Sequence, residues 1–246
     1  MDLLKVTNPG EFPIWTTLAL GFVLGLRHAL DADHLAAVST FVTQEKSLRR
    51  SSLIGVYWGM GHTAALLVFG IAVAAFRVAL TPRFAQVLEF IVACMLVFLG
   101  ANVLVKLVKD NTVHIHSHEH EGAPHSHLHL HVGGRAHEHR HHILRVGGRP
   151  FIVGVVHGLA GTAALMMLVV GAIPSLLLAA CYILIFGVGS IGGMTVMSLL
   201  MALPLALAAR RLHLLERVIR LAAGLFSLGF GLYLGWEVGF LQSLMP

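Results

Sequence analysis

Arg27-His28-Ala29-Leu30-Asp31-Ala32-Asp33-His34 lies inside an apolar segment, Ile14 to Val38, that is long enough to cross a bilayer. A charge near the centre of a membrane helix costs about 2.5–3.5 kcal/mol on insertion scales, so Arg27, Asp31 and Asp33 must face protein, water or a bound cation rather than lipid. Two imidazoles and two carboxylates within seven residues are also donors that nickel and cobalt accept. The stretch reads as a metal site embedded in a membrane segment, in a path for the ion.

An unbroken helix cannot gather these groups round one ion. At roughly 100° per residue with His28 at zero, Asp31 falls near −60°, His34 near −120° and Asp33 near +140°. His28 and His34 also stand about 9 Å apart along the axis, against metal–ligand bonds of about 2 Å. Either the helix unwinds locally, the favoured reading, or the residues are successive stations along a path. Arg27 lies four residues before Asp31 on the same face, and an Arg27–Asp31 pair would leave Asp33 as the carboxylate more available to metal.

Composition agrees with a membrane setting. The 246 residues are 57% hydrophobic and 12% charged, and mean hydropathy is +0.81, which describes an all-α polytopic membrane protein rather than a soluble domain. The sequence pI near 9.7 comes from short basic runs between apolar stretches, a pattern of membrane orientation rather than nucleic-acid binding. Met1 to Pro13 has no basic run and no small-residue cleavage site, so it is not read as a signal peptide.

Six apolar segments are expected to span, at Ile14 to Val38, Leu53 to Ala75, Phe84 to Val108, Phe151 to Ile173, Leu176 to Leu207 and Leu215 to Gly239. The fifth is long for one upright helix, and its glycines Gly187, Gly189, Gly192 and Gly193 suggest a kink, a break or a strong tilt. Thirteen Lys and Arg fall in the connections after the first, third and fifth segments, against three on the other side. That asymmetry puts the long middle loop in the cytoplasm of a prokaryotic cell and both termini outside its plasma membrane.

A weak repeat fits the same topology. Phe22-x-x-Gly25-x-x-His28-x-Leu30 recurs as Phe151-x-x-Gly154-x-x-His157-x-Leu159, and the same shift lays Leu99-Gly100 on Leu228-Gly229. Two three-helix halves, 1–108 and 150–246, would then enter the membrane from opposite sides around a loop, 109–149. That is an inverted repeat with its site between the halves.

The loop carries twelve of the seventeen histidines between His114 and His142. A segment so poor in bulky apolar residues reads as a flexible chelating tract that buffers, delivers or senses metal. A hairpin turning at Gly133-Gly134 would place its two sets of histidines on opposite faces, so disorder without metal is the expectation.

Elsewhere, His62 interrupts the second segment beside Gly59 and Gly61, which allow close helix approach. It is a candidate ligand, or a histidine bonded to a backbone carbonyl. His157 holds the repeat position of His28 without a neighbouring carboxylate, so a gating or supporting role is as natural as ligation. Cys94 and Cys181 lack C-x-x-C spacing and are taken as packing residues.

His28-Ala29-Leu30-Asp31-Ala32-Asp33-His34 resembles the His-x4-Asp-His signature of the nickel/cobalt transporter family (NiCoT), preceded by the usual Arg27. Gly61-His62-Thr63 resembles that family's Gly-His-Ser/Thr element. The resemblance implies a secondary permease, not an enzyme, carrying Ni2+ or Co2+ as its substrate and requiring no cofactor. It implies that His28, Asp33, His34 and His62 select the metal; from the residues themselves Asp31 joins them as a metal candidate, with Arg27, Thr63 and His157 as gate or support. Larger members have eight spans and acidic motifs in later helices, whereas Gly158-Leu159-Ala160-Gly161-Thr162-Ala163-Ala164 keeps the Thr-Ala without the acids. The compact form is more similar to the nickel permeases of the HupE/UreH type. Uptake is the expected direction, and a cytoplasmic metallochaperone is an expected partner. Membrane lipid surrounds the helices, and oligomeric state is not readable.

Export of the same metals is the first rival, since a cytoplasmic histidine tract suits capture as well as delivery. An intramembrane metalloenzyme is weaker, because the His-Glu-x-x-His of a protease is missing. A sensor would bind metal without moving it. Deleting His114 to His142 is expected to change the apparent affinity for nickel in an uptake assay more than the maximal flux; loss of all flux would make the loop part of the path.

Overall fold

The computed structural model describes residues 14–45, 47–76, 81–109, 114–120, 123–129, 142–160, 173, 175–208 and 213–241. Helix α1, Ile14–His28, stops at the quoted stretch. Leu30 and Asp31 donate backbone hydrogen bonds only three residues back, to Arg27 at 2.9 Å and His28 at 3.1 Å. Asp31 is extended, with φ −61° and ψ 144°, and α2 runs from Ala32–Val42. The first apolar segment is thus two helices meeting at a break, as the angular argument requires, and Asp33 and His34 lie in the first turn of the second.

Next come α3, Leu48–Phe76, and α4, Pro82–Lys109. A two-stranded ribbon follows, β1 His114–His120 with β2 Ala123–His129. Then come α5 His142–Ala160, α6 Leu176–Ala208 and α7 His213–Trp236, the last ending in a π-helical turn, Glu237–Leu241. Among the described residues, four helical stretches are long and apolar enough to cross a membrane: Leu48–Val73, Pro82–Lys109, Leu176–Leu207 and Leu214–Gly239. The chain is an integral membrane protein. The expected first span is the broken pair α1–α2, and α1 alone, at about 22 Å, is shorter than the hydrocarbon thickness of about 30 Å. The expected fourth span is described only to Ala160, and most of its remainder lies outside the described residues.

Two expectations are corrected. Of the kink, break or tilt expected of the fifth segment, the break is absent: the segment is one helix of 33 residues, α6, with Pro204 inside it. Its glycines serve contact rather than bending, since Gly187 abuts Thr63, Gly189 abuts the Phe22 carbonyl and Gly193 abuts Ala29. The histidine tract is also not wholly irregular. β1 and β2 pair antiparallel, with His114 opposite His129, His116 opposite His127 and His118 opposite His125. In that register the paired histidine positions share a face. The hairpin weighed at Gly133-Gly134 lies outside the described residues.

Packing positions the site. Helix α3 lies against α5 and α6, α6 also against α1, and α4 against α7. Glycines let the backbones touch. A methyl on Gly25 would run into the Phe186 carbonyl, and one on Gly154 into the Trp58 carbonyl. Likewise Gly61 meets the Phe151 carbonyl and Gly189 that of Phe22. Each contact of α1 with α6 recurs between α5 and α3 at an offset of 128 or 129 residues. Between α4 and α7 the recurrence shifts. Gly100 approaches Gly224 and Leu228, and Gly231 approaches Ala93 and Val97, whereas Gly229 has nothing within 4 Å. Gly100 therefore corresponds to Gly231, not to Gly229 as the sequence alignment had it.

Outward faces are apolar, with Val68 73% and Phe98 70% exposed, as lipid contact demands. Inside, Trp58, Leu96, Val38 and Val42 are fully enclosed. Replacing Gly154 by Val should lower the melting temperature of the detergent-solubilised protein by the equivalent of about 1–3 kcal/mol of overpacking. Gly229→Val should melt as the parent does, and an equal loss in both would contradict the close-approach reading.

Candidate metal centre

The break between α1 and α2 turns His28 and His34 towards one another. Their rings lie 4.4 Å apart between centroids, which straight-helix geometry forbids. Helix α3 brings His62, whose ring is 5.0 Å from His28 and 5.4 Å from His34. Helix α5 brings His157, 4.1 Å from His34. His34, His62 and His157 are at most 1% exposed and His28 is 6% exposed. Four histidines from two distant parts of the chain thus make one buried cluster.

The hydrogen bonds decide which nitrogens face inward. His28 Nδ1 lies 2.8 Å from Asp31 Oδ2, and His34 Nδ1 lies 3.0 Å from Asp33 Oδ1. With those nitrogens protonated, each imidazole donates to its carboxylate and presents Nε2 as a lone pair, the arrangement that orients metal-binding histidines. His28 Nε2 and His62 Nε2 are 3.2 Å apart. Two nitrogens held on one ion by bonds of about 2.0–2.1 Å stand roughly 3 Å from each other, so the spacing is that of a shared ligand sphere. His34 Nε2, His62 Nδ1 and His157 Nδ1 have no hydrogen-bond partner among the described residues. Each buried nitrogen left so costs about 1–3 kcal/mol, and of the three only His34 Nε2 is turned to where an ion would relieve it, since His62 and His157 face the cluster with Nε2.

Two overlapping groups could hold a metal ion. His28, His34 and His62 form one, and Asp33, His34 and His157 the other, with donor atoms within 4.8 Å of one another in each. Asp33 is central to the second, because its Oδ2 is 3.0 Å from His157 Nε2 while its Oδ1 also accepts the backbone N–H of His34 at 2.8 Å.

The remaining candidates fall into place around this cluster. Asp31 sits beside His28 with its side chain 43% exposed. Arg27 is exposed and forms no ion pair among the described residues, so the Arg27–Asp31 pair gives way to His28–Asp31. Thr63 is buried against Gly187 and its Oγ1 has no hydrogen-bond partner among the described residues. Trp58 was not foreseen. It is fully buried, stacks on His34 at 6.1 Å and approaches His157 at 5.8 Å. The signal was its place four residues before His62, on the same helix face. Phe186, 5.5 Å from His28, closes the cluster from α6.

No family model matches the chain, and no solved structure matches it. It is similar to the urease accessory protein UreH of Bacillus sp. (strain TB-90), 37% identical over 239 residues, covering 95% of this chain and 96% of that protein. A shorter stretch of 69 residues is 36% identical to the high-affinity nickel transport protein of Cupriavidus necator, covering 27% of this chain and 19% of that one. Another of 64 residues is 42% identical to the cobalt transport protein NhlF of Rhodococcus rhodochrous, covering 25% of this chain and 18% of that one.

Substitution of the carboxylate behind His28 separates support from mere proximity. Asp31→Asn should weaken equilibrium binding of Ni2+ to the purified protein by about 10–100-fold, the usual effect of losing a group that orients a ligand. Arg27→Gln should leave it unchanged, and the reverse pattern would remove Asp31 from the centre.

Proposed function

The chain belongs to the nickel/cobalt transporter family, on its UreH-type branch, and from that premise we propose that it is a secondary permease taking Ni2+, and Co2+ with it, into a prokaryotic cell. The observation that carries the reading is the buried His28–His34–His62 cluster at the break of a membrane helix. Imidazole nitrogens suit ions of the nickel and cobalt class better than magnesium or calcium, which prefer oxygen. The relatives are named as transporters and accessory proteins, in keeping with transport rather than catalysis.

In this mechanism the ion sheds most of its water to enter the cluster. His28, His34 and His62 replace that water with three ring nitrogens. Asp31 fixes His28 and Asp33 fixes His34, and the two carboxylates offset the charge of the incoming dication. Trp58 stacks on His34, and Thr63 packs the helix of His62 against α6 at Gly187. The ion is then exposed to the opposite side by movement of one half against the other.

Two halves in an inverted, six-span arrangement are supported by the recurring glycine contacts, α1 with α6 and α5 with α3. They correspond to 1–108 and 150–246 about the loop 109–149. The distribution of Lys and Arg favours a cytoplasmic loop and external termini. The histidine tract then lies on the side where a metallochaperone would collect the ion.

Counterflow of Ni2+, Co2+, Zn2+ and Mn2+ in proteoliposomes tests transport, with His34→Ala as control. Exchange of nickel and cobalt above the control is expected, and retention of both on their starting side would end the permease reading. In cells, the intact protein should raise nickel content relative to His34→Ala; a lower content would convert the reading to export.

A further inference from the structure

We propose that the centre is two overlapping ion stations that share His34, and that one ion at a time passes from His28–His34–His62 to Asp33–His34–His157. The proposal rests on the transport reading above and adds a second binding site to it. Three observations carry it.

The first is the placing of His34. Its ring stands between His28 at 4.4 Å and His157 at 4.1 Å, while His28 and His157 belong to different parts of the chain. Both donor groups are complete without moving any element, since each already has its atoms within 4.8 Å. An ion leaving the first group on the His157 side therefore meets the second.

The second is the correspondence of His28 and His157. The glycine contacts relate α1–α6 to α5–α3 at offsets of 128 or 129 residues, which also relate His28 to His157 and His62 to Ser190. A symmetric copy of the first station would need a ligand at 190. Ser190 instead donates its hydroxyl to the Gly25 carbonyl at 3.2 Å. Asp33 fills the vacant role, with Oδ2 3.0 Å from His157 Nε2. The second station is therefore mixed in oxygen and nitrogen where the first is all nitrogen.

The third is the chemistry of the shared imidazole. A neutral ring has one in-plane lone pair, so His34 serves one ion at a time. The stations exclude each other, which suits passage: an ion bound by three imidazoles is exchanged for one bound by a weaker-field set, so neither site is a trap. The ligand class is a borderline divalent cation that accepts both imidazole and carboxylate.

The test uses full-length protein in detergent with Co2+ as the probe, followed by its visible absorption, and in proteoliposomes by cobalt counterflow. Wild type should bind one equivalent more than a His34→Ala control, whose cobalt is that of the histidine tract, and the difference spectrum should be a mixture of two environments. His157→Asn keeps a donor towards Asp33 but removes the imidazole. It should retain binding, lose one spectral component and slow counterflow at least about tenfold. His157→Cys places a thiolate at the second station and should add a sulfur-to-cobalt charge-transfer band. Two tightly bound equivalents in wild type beyond those of His34→Ala would overturn the proposal. So would a His157→Asn protein with unchanged spectrum and flux, or a His157→Cys protein of native melting temperature without the new band. A wild type that binds no more cobalt than His34→Ala would instead sink the transport reading itself.

Discussion

The structure depends on a helix that stops in the middle of an apolar segment. In hydrocarbon an open backbone group costs several kcal/mol, so a break survives only where protein resupplies the lost hydrogen bonds. Here the chain does so tightly. Leu30 and Asp31 bond three residues back, Leu35 bonds to the Asp31 carbonyl at 3.0 Å, and the Asp33 side chain takes the N–H of His34. Asp33 also lies at the positive end of α2, whose dipole would otherwise repel a cation. The C-terminal end of α1, the negative one, comes at His28. Both helix ends are thereby arranged for positive charge, and the donors follow from the same few residues.

What keeps the break in register is close contact between backbones. Membrane helices gain little from hydrophobic burial against one another and rely on packing and hydrogen bonds. Gly25, Gly61, Gly154 and Gly189 supply the packing at four corners of the four-helix group formed by α1, α3, α5 and α6. Ser190 adds a hydrogen bond to the Gly25 carbonyl, one turn before His28. His62 follows Gly61, and His157 lies three residues after Gly154, so the residues that set the helix distances sit beside those that project into the centre. Position and chemistry are set by the same short segments.

Much of this was legible in the chain. Apolar length marked the membrane helices, and helical angles made a break near Leu30 the favoured of two readings, because no straight helix turns His28 and His34 to a common point. The repeat was visible in Phe22–Leu30 and Phe151–Leu159, although only contact geometry could show that Gly100 answers to Gly231. Three features were hidden for a common reason: they depend on pairing between distant segments. The continuity of α6 through its glycines reflects neighbours that fill the missing side chains. The pairing of the histidine strands turns on which residues stand opposite one another, His116 with His127 and His118 with His125. The burial of Trp58 against His34 and His157 needs three helices to be placed at once. Local pattern carries spacing and charge, whereas register between elements emerges only on assembly.

Helix α6 is a single rod of 33 residues, about 50 Å at 1.5 Å per residue. It is gripped on one side by α1, through Gly25 and Gly189, and on the other by α3, through Gly55 and Gly59. A shift of α1 or α3 along it must either break these backbone contacts or carry α6 along. The two flanks are thus coupled through an element that bears none of the histidines.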